Sequence, residues 1–353
     1  MEEADALMCR AAKHIKTSMF KWTSNWEAAA KDYESAGMLY SRVGDTKNVR
    51  IAWEEAATAH QKNGQTFLAA RVLDRLGEFL AEQARSATLN RELYLKLLDD
   101  SVETLRAAAN KFAEDSKFDK QAEELVKAAN LLHPVGIAGD SQSSMALLPQ
   151  EEQEKFKRAV NLMKEAVEVL EENEECSLSY IVRLPEIYRT WLLMHLRAGD
   201  ILGAVGVLER QLGVRLASAS ATCGGNGSSE AKNKGLFHRL NQPHNVAKAG
   251  LEVVVLCLSQ NDIPLARNAM TRLHNLQGFV GSGEETLAAS LLSAFEDRDA
   301  GRIQEALSDN KLLFITSDIS RIARNMKLKF ATISTSKQSE QQNEEDEDFE
   351  SLR

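Results

Sequence analysis

Small and aromatic residues recur at intervals of three and four between Ser24 and Asn63. Two runs share this spacing: Trp26, Ala29, Ala30, Tyr33, Ala36, Gly37 and Tyr40, then Val49, Ala52, Trp53, Ala56 and Ala59. Each run occupies one face of a helix, because such intervals match the helical repeat. Between the runs, Gly44 can take a positive φ where one helix ends, and Asp45 can cap the next. The pattern predicts a helical hairpin.

The same pattern continues along the chain, with turn signals at regular intervals. Gly44 and Gly64 are twenty residues apart, which indicates a hairpin period of about forty residues, typical of helical-repeat proteins. A single hairpin leaves much of its apolar face uncovered, so further hairpins must stack on it. The set of Trp, Leu-Gly and Tyr positions that marks a tetratricopeptide repeat is absent. We therefore expect an all-α fold of degenerate repeats, with about thirteen helices.

Two stretches interrupt the helical pattern and suggest how the chain is divided. Residues near 133–150 and 217–243 are rich in glycine and serine and are expected to be loop insertions. We expect a helical-hairpin solenoid over residues 1–245 and a helical bundle over residues 246–333. Residues 334–353 are expected to form a disordered acidic tail.

The charge of the chain is concentrated in that tail. The net charge is −9, and the segment from Lys337 to Arg353 contains seven acidic residues against two basic ones. The remaining body is close to neutral, which argues against general nucleic-acid binding. An acidic amino terminus, four scattered cysteines and the absence of a long apolar run favour a reducing, cytosolic location.

No group of residues has the spacing expected of a catalytic or metal site. The histidines form no HxxxH pair, and the phosphate-binding GxxxxGK[ST] motif is absent. His60 and His195 lie on apolar faces, where a hydrogen-bonded core histidine is the expected role. We therefore predict that the chain is not an enzyme and requires no cofactor or metal ion.

A short apolar segment precedes the first hairpin and has two interpretations. It comprises Met19, Phe20, Lys21 and Trp22. Its aromatic residues can fold back onto the hairpin as a hydrophobic staple. Alternatively, the segment is an exposed tip that enters the interfacial zone of a bilayer.

Basic residues are concentrated in the middle third of the chain. The candidates for a binding surface are Lys111, Lys117, Lys120, Lys127, Lys155 and Arg158. They either pair with acids along their own helices or together form a strip that binds an elongated acidic partner. The acidic tail likewise has two interpretations, a solubilising end or a docking segment for a basic domain with Leu352 as its apolar anchor.

Three segments resemble the soluble N-ethylmaleimide-sensitive factor (NSF) attachment proteins, the SNAP family, and most closely their gamma form. The carboxy-terminal third contains Leu258–Asp262 and Gly278–Glu285, similar to the family's "ND" turn and "GF-GSED" loop, and then Asp297–Asp299. The opening Phe20-Lys21-Trp22, followed by an alanine-rich helix, and the acidic end with its penultimate Leu352 also resemble this family.

The resemblance implies a fold and a function. The fold is a right-handed, TPR-like superhelix of helical hairpins with a carboxy-terminal helical bundle. The function is that of an adaptor in ER–Golgi and other vesicle-mediated transport and membrane fusion. Such a protein binds a syntaxin-like SNARE four-helix bundle through a basic face and recruits the hexameric NSF ATPase. It is cytoplasmic and peripheral to Golgi and vesicle membranes.

The resemblance also implies roles for particular residues at both ends of the chain. Met19, Phe20 and Trp22, with Lys21, become the loop that contacts the membrane. The segment that engages the ATPase comprises Asp346, Glu347, Asp348, Glu350 and Leu352. The resemblance does not determine which of the basic residues face a SNARE complex. The alternative function is a general helical-repeat scaffold, such as a chaperone cofactor or a subunit of a large complex.

Overall fold

The regular structure of the described part of the chain is helical throughout. The computed structural model describes residues 1–17, 23–87, 89–133, 149–214 and 235–327, and within these ranges every regular element is a helix. The expected fold class, an all-α protein of TPR-like helical hairpins, is therefore confirmed.

The helices fall into two compact units that divide inside one helix, between Ile187 and Tyr188. The first unit contains α1 (Glu2–Ile15), α2 (Trp26–Arg42), α3 (Thr46–Lys62), α4 (Thr66–Ser86), α5 (Arg91–Glu114), α6 (Phe118–Leu132), α7 (Gln150–Glu172) and the first half of α8 (Leu178–Arg197). The second contains the rest of α8, α9 (Ile201–Leu212), α10 (Leu236–Arg239), α11 (Pro243–Ser259), α12 (Ile263–Leu273), α13 (Gly283–Glu296), α14 (Ala300–Ala306) and α15 (317–327).

The expected insertions and tail lie mainly outside the described residues. The described residues include the end of the second insertion, where the short helix α10 falls inside the stretch expected to be a loop. The domain boundary expected after residue 245 stays a prediction.

The first predicted hairpin is confirmed as α2 and α3. Its apolar faces are buried, and Gly44 takes a φ of +74° at the turn. The Asp45 carboxylate accepts a hydrogen bond from the Asn48 amide at 3.1 Å, as expected of a helix cap. Small residues allow the two helices to pack closely. A methyl group added at Gly37 would overlap the indole ring of Trp53, which is itself buried.

Ion pairs link alternate helices of the first unit. Arg75 of α4 lies 3.5 Å from Glu34 of α2, and Lys127 of α6 lies 2.7 Å from Asp74 of α4. Each of these helices also packs against its neighbours in sequence. The even-numbered helices therefore lie side by side in one layer.

The odd-numbered helices form the second layer of the same unit. Arg50 of α3 lies 2.8 Å from Asp100 of α5, and Arg158 of α7 lies 2.7 Å from Asp99 of α5. A two-layer stack of this kind is the arrangement expected when helical hairpins pack on one another in sequence.

The second unit is organised around α11. Residues 249–258 of this helix are all buried, which is typical of a helix surrounded by others. Gly250 leaves room for the ring of Phe279, a completely buried residue of the loop before α13. The carboxylate of Glu252 accepts a hydrogen bond from the Thr316 amide at 2.6 Å, where α15 begins. Burial raises the pKa of Glu252.

The contact between Gly37 and Trp53 provides a test of the close packing in the first hairpin. We expect Gly37→Ala to lower the free energy of unfolding by about 1–3 kcal/mol, because the added methyl group displaces the indole ring. The matched control is Gly206→Ala in α9, where no atom lies within 4 Å of an added methyl group. That change should raise stability by about 0.5–1 kcal/mol through helix propensity. Urea denaturation measures both, and equal effects would contradict the packing argument.

Candidate functional site

The proposed membrane loop, Met19, Phe20, Lys21 and Trp22, lies outside the described residues, but both of its flanks are described. The Ser24 hydroxyl donates a hydrogen bond to the Ile15 carbonyl at 2.6 Å. The Asn25 amide donates one to the His14 carbonyl at 3.0 Å. The end of α1 and the chain before α2 are therefore joined at the base of the loop. Both interpretations of the loop stay predictions.

A second contact fixes α1 against α2 close to this base. The Arg10 guanidinium donates to both oxygens of Asp32, at 2.7 and 2.5 Å, and His14 lies 3.5 Å from the same carboxylate. The hydrogen bond from Arg10 lowers the pKa of Asp32. The loop is thus attached to two helices whose relative position is set by a bidentate ion pair.

The proposed ATPase-engaging residues, Asp346, Glu347, Asp348, Glu350 and Leu352, also lie outside the described residues. Their role stays a prediction.

Three of the basic candidates lie close together in sequence, at the end of α5 and the beginning of α6. Lys111 pairs with Glu114 at 2.7 Å, and Lys120 pairs with Glu123 at 2.8 Å. Both pairs are between residues three apart on one helix. Lys117 is exposed just before α6, and no ion pair joins it to another described residue.

Lys155 is the most enclosed of the other candidates. Its amine lies 2.9 Å from Glu151 and 3.1 Å from Glu152, both on the same helix. It also lies over the ring of Tyr94 in α5, 5.7 Å from the ring centre, which is a cation–π geometry. This lysine therefore helps to hold α7 against α5.

The last two candidates join helices of one layer. Lys127 of α6 contacts Asp74 and, at 3.2 Å, Glu78, both of α4. Arg158 of α7 contacts Asp99 of α5. Lys127 therefore belongs to the even layer and Arg158 to the odd layer. Whether any of them contacts a partner stays a prediction.

A cluster of three carboxylates surrounds Lys127, and sequence reasoning missed it. Besides Asp74 and Glu78, the lysine lies 2.9 Å from Glu124, whose side chain is only 2% exposed. One oxygen of Glu124 is buried and has no hydrogen-bond partner among the described residues. A possible signal was the position of Glu124 on the apolar face of α6, four residues before the buried Ala128.

Burial sets the protonation state of this cluster. It raises the pKa of Glu124 to about 8, and the nearby charge of Asp74 adds to the effect, while Lys127 opposes it. For Lys127, burial alone lowers the pKa, but its hydrogen bonds to Asp74 and Glu124 outweigh that and raise it. At neutral pH, Glu124 is therefore mostly protonated beside an ammonium group and two further carboxylates.

Glu124 should make the stability of the protein depend on pH. In the unfolded chain it loses its proton near its ordinary pKa of 4.5, whereas in the folded chain it keeps the proton until about pH 8. The folded state therefore loses stability as the pH rises between these values. We expect the free energy of unfolding of the wild type to fall, relative to Glu124→Gln, by more than about 1 kcal/mol between pH 5 and 8.

Glu123→Gln is the matched control for that measurement. Lys120, Lys127 and Arg183 outweigh the effect of burial and lower the pKa of Glu123. It is therefore ionised in both states above pH 5, and its removal should leave the pH profile between 5 and 8 unchanged. Parallel profiles for the wild type and Glu124→Gln would contradict the assignment of a protonated Glu124.

The two core histidines have the predicted role. His60 hydrogen-bonds Gln65 at 3.0 Å and Glu34 at 2.6 Å. Burial lowers the pKa of His60, but these hydrogen bonds outweigh it and raise the pKa overall. His195 hydrogen-bonds Asp200 at 2.9 Å, and this bond lowers the pKa of Asp200.

The residues that the structure describes contain no candidate metal site and no candidate membrane span. Among them, no three His, Cys, Asp or Glu side chains are grouped so that they could hold a metal ion. None of the helices in these ranges is long and apolar enough to cross a membrane.

Two curated proteins are similar to this chain over most of its length. The chain is 20% identical over 326 residues to the gamma-soluble NSF attachment protein of Dictyostelium discoideum, covering 92% of this chain and 83% of that protein. It is also 20% identical over 324 residues to the protein of the same name from Arabidopsis thaliana, covering 92% and 91%. No protein-family profile matches the chain.

Solved structures with similar arrangements are more distant. A circular tandem repeat protein with a novel repeat topology aligns with 93% of this chain and 75% of its own, at 14% identity and a TM-score of 0.43. BtubC from P. vanneervenii aligns with 78% of this chain and 88% of its own, at 15% identity and a TM-score of 0.31.

Proposed function

We propose that this chain is a non-enzymatic adaptor that binds a SNARE four-helix bundle and recruits the NSF ATPase to it. In this role it couples ATP hydrolysis by its partner to the disassembly of a coiled-coil substrate during vesicle transport and membrane fusion. The observation that carries the proposal is the similarity to two gamma-soluble NSF attachment proteins over 92% of the chain.

The helical hairpins and the loop base support this proposal. Stacked hairpins offer an extended surface of the kind that repeat proteins use to bind elongated partners. The hydrogen bonds from Ser24 and Asn25 join the ends of the segment that contains Phe20 and Trp22. This attachment suits a loop that acts at a membrane surface on the cytosolic side.

A general scaffold role is the second candidate, and the basic residues favour it. Five of the six candidates already pair with acids of this chain. An open basic face is what an acidic coiled coil would require. The experiment below distinguishes the two roles because only the first requires both SNARE and ATPase partners.

Reconstituted disassembly is the deciding experiment. A defined SNARE complex is incubated with NSF and ATP, with and without the full-length chain, and the release of SNARE subunits is followed. The adaptor proposal predicts ATP-dependent release that needs the chain. If the folded chain fails to bind the SNARE complex, or fails to bind NSF, in a pulldown, the adaptor proposal is excluded and the scaffold role remains.

The tail is tested separately from the SNARE-binding surface. We expect Leu352→Ala to lower the stimulation of NSF ATPase activity about tenfold, because an apolar anchor contributes a large share of a small contact. Binding to the SNARE complex should remain close to that of the wild type. Ser351→Ala, which keeps Leu352, is the control. Full stimulation by Leu352→Ala would exclude this residue as an anchor.

The loop prediction separates membrane contact from a structural role. We expect Phe20→Ser with Trp22→Ser to weaken cosedimentation with liposomes severalfold, because two interfacial aromatic side chains are lost. The melting temperature should change little. A fall in melting temperature of several degrees would support the staple interpretation instead. Thr23→Ser, which keeps both aromatic residues, is the control.

A further inference from the structure

The first half of α8 packs beside α6 and continues the even layer of the first unit. The ring of Tyr180 meets that of Phe118, at the start of α6, edge to face with 6.3 Å between the ring centres. One turn later, Arg183 lies 3.6 Å from Glu123 and donates a hydrogen bond to the Asp119 carbonyl at 3.3 Å. The two helices therefore run side by side in the same direction, as alternate helices of stacked hairpins do.

The opposite side of this half-helix carries large apolar residues that are exposed. Leu178 is 83% exposed and Val182 is 67% exposed. Because they are four residues apart, they are neighbours on one face of the helix, and the half-buried Pro185 extends that face. The face lies about 160° around the helix from Tyr180 and Arg183. It is therefore the side on which the next even-numbered helix of a stack would pack.

The other even helices show how such a side is normally treated in this layer. All residues of α6, which has α4 on one side and α8 on the other, are buried or half-buried. The exposed residues of α4 are all polar or charged: Arg71, Glu78, Glu82, Arg85 and Ser86. The exposed apolar side of α8 is thus a stacking surface that lies open. We call it the α8 face and define it by Leu178, Val182 and Pro185.

Acidic residues surround the α8 face. Residues 171–187 contain five acids and a single base, Arg183, which already pairs with Glu123. Glu175 is exposed three residues before Leu178, and Glu186 is exposed one turn after Val182. A contiguous apolar surface indicates a binding site, and acids around it favour a partner with positive charges.

We propose that the α8 face binds an amphipathic helix of another protein, with an apolar stripe flanked by lysine or arginine. The stripe packs on Leu178, Val182 and Pro185 as a further helix of the even layer would, and it runs in the same direction as α8. Recognition of a helix through its apolar face is a common mode of binding. The cations of the partner lie opposite Glu175 and Glu186.

The same acids argue against three other occupants of the α8 face. A second copy of this chain would set acids against acids. The segment from Lys337 to Arg353 contains seven acids and two bases, so it would be repelled as well. An anionic membrane attracts basic surfaces instead. The proposal is independent of the adaptor function, because it uses neither the loop, the tail nor the basic candidates.

A synthetic peptide tests the contact on the full-length chain. The probe is a helical peptide of about fourteen residues, with leucines spaced like the three residues of the α8 face and lysines on both sides of them. Its central leucine is photoreactive. Irradiation should cross-link it to residues 175–187, because that leucine lies in the contact. A peptide with glutamate in place of lysine should bind about tenfold more weakly, since the acids repel it.

Substitutions in the α8 face test its apolar contribution. Leu178→Ser with Val182→Ser should raise the dissociation constant of the lysine peptide about tenfold or more, because the centre of the contact is lost. Both side chains are exposed, so the circular dichroism spectrum should not change. The control is Leu202→Ser with Val280→Ser, which changes two exposed apolar residues of the second unit. That variant should bind like the wild type.

Charge reversal tests the role of the surrounding acids. Glu175→Lys with Glu186→Lys should weaken binding of the lysine peptide severalfold at low salt, and the difference should shrink as salt is added. Glu2→Lys with Glu3→Lys makes the same change in net charge at two exposed residues of α1. This control should bind the peptide like the wild type.

Three outcomes would overturn the proposal. The lysine peptide could fail to cross-link to residues 175–187. The Leu178 and Val182 variant could bind the peptide as tightly as the wild type while keeping its circular dichroism spectrum. The glutamate peptide could bind as well as the lysine peptide, or the same variant could lose binding to anionic liposomes, which would indicate an acidic partner or a membrane.

Discussion

Close approach of helices at small residues is the constraint on which both units depend. In the first unit, Gly37 accommodates the ring of Trp53. Gly77 of α4 accommodates Leu105 of α5, and its carbonyl accepts a hydrogen bond from Ser101 at 2.7 Å. In the second unit, Gly250 leaves room for a loop phenylalanine. Each site brings two backbones closer than larger side chains allow, so the hairpins need few apolar residues to form a continuous core.

Ion pairs supply the second set of contacts, and they determine what the surface can offer a partner. Within each layer, helices of successive hairpins are joined by pairs such as Arg50 with Asp100 and Lys127 with Asp74. A basic side chain used in this way is neutralised and held in place. A polar partner must therefore displace an internal acid or bind the cations that remain unpaired, such as Lys117.

Local features were predictable from the sequence, and long-range pairings were not. The faces of α2 and α3, the cap at Asp45 and the buried histidines follow from the spacing of nearby residues. The protonated Glu124 does not, because its state depends on Asp74, a residue of another helix fifty positions away. Likewise, the basic residues looked like one group in sequence, whereas the fold distributes them between two layers. The short helix α10 lacked enough residues to show a helical period.

The closed base between α1 and α2 has a practical consequence for the engineering of this protein. Hydrogen bonds at His14 and Ile15 hold the end of α1 beside the residues that precede α2, so the two ends of the intervening segment are fixed next to one another. A fluorescent or affinity tag inserted between them would start and finish at fixed positions.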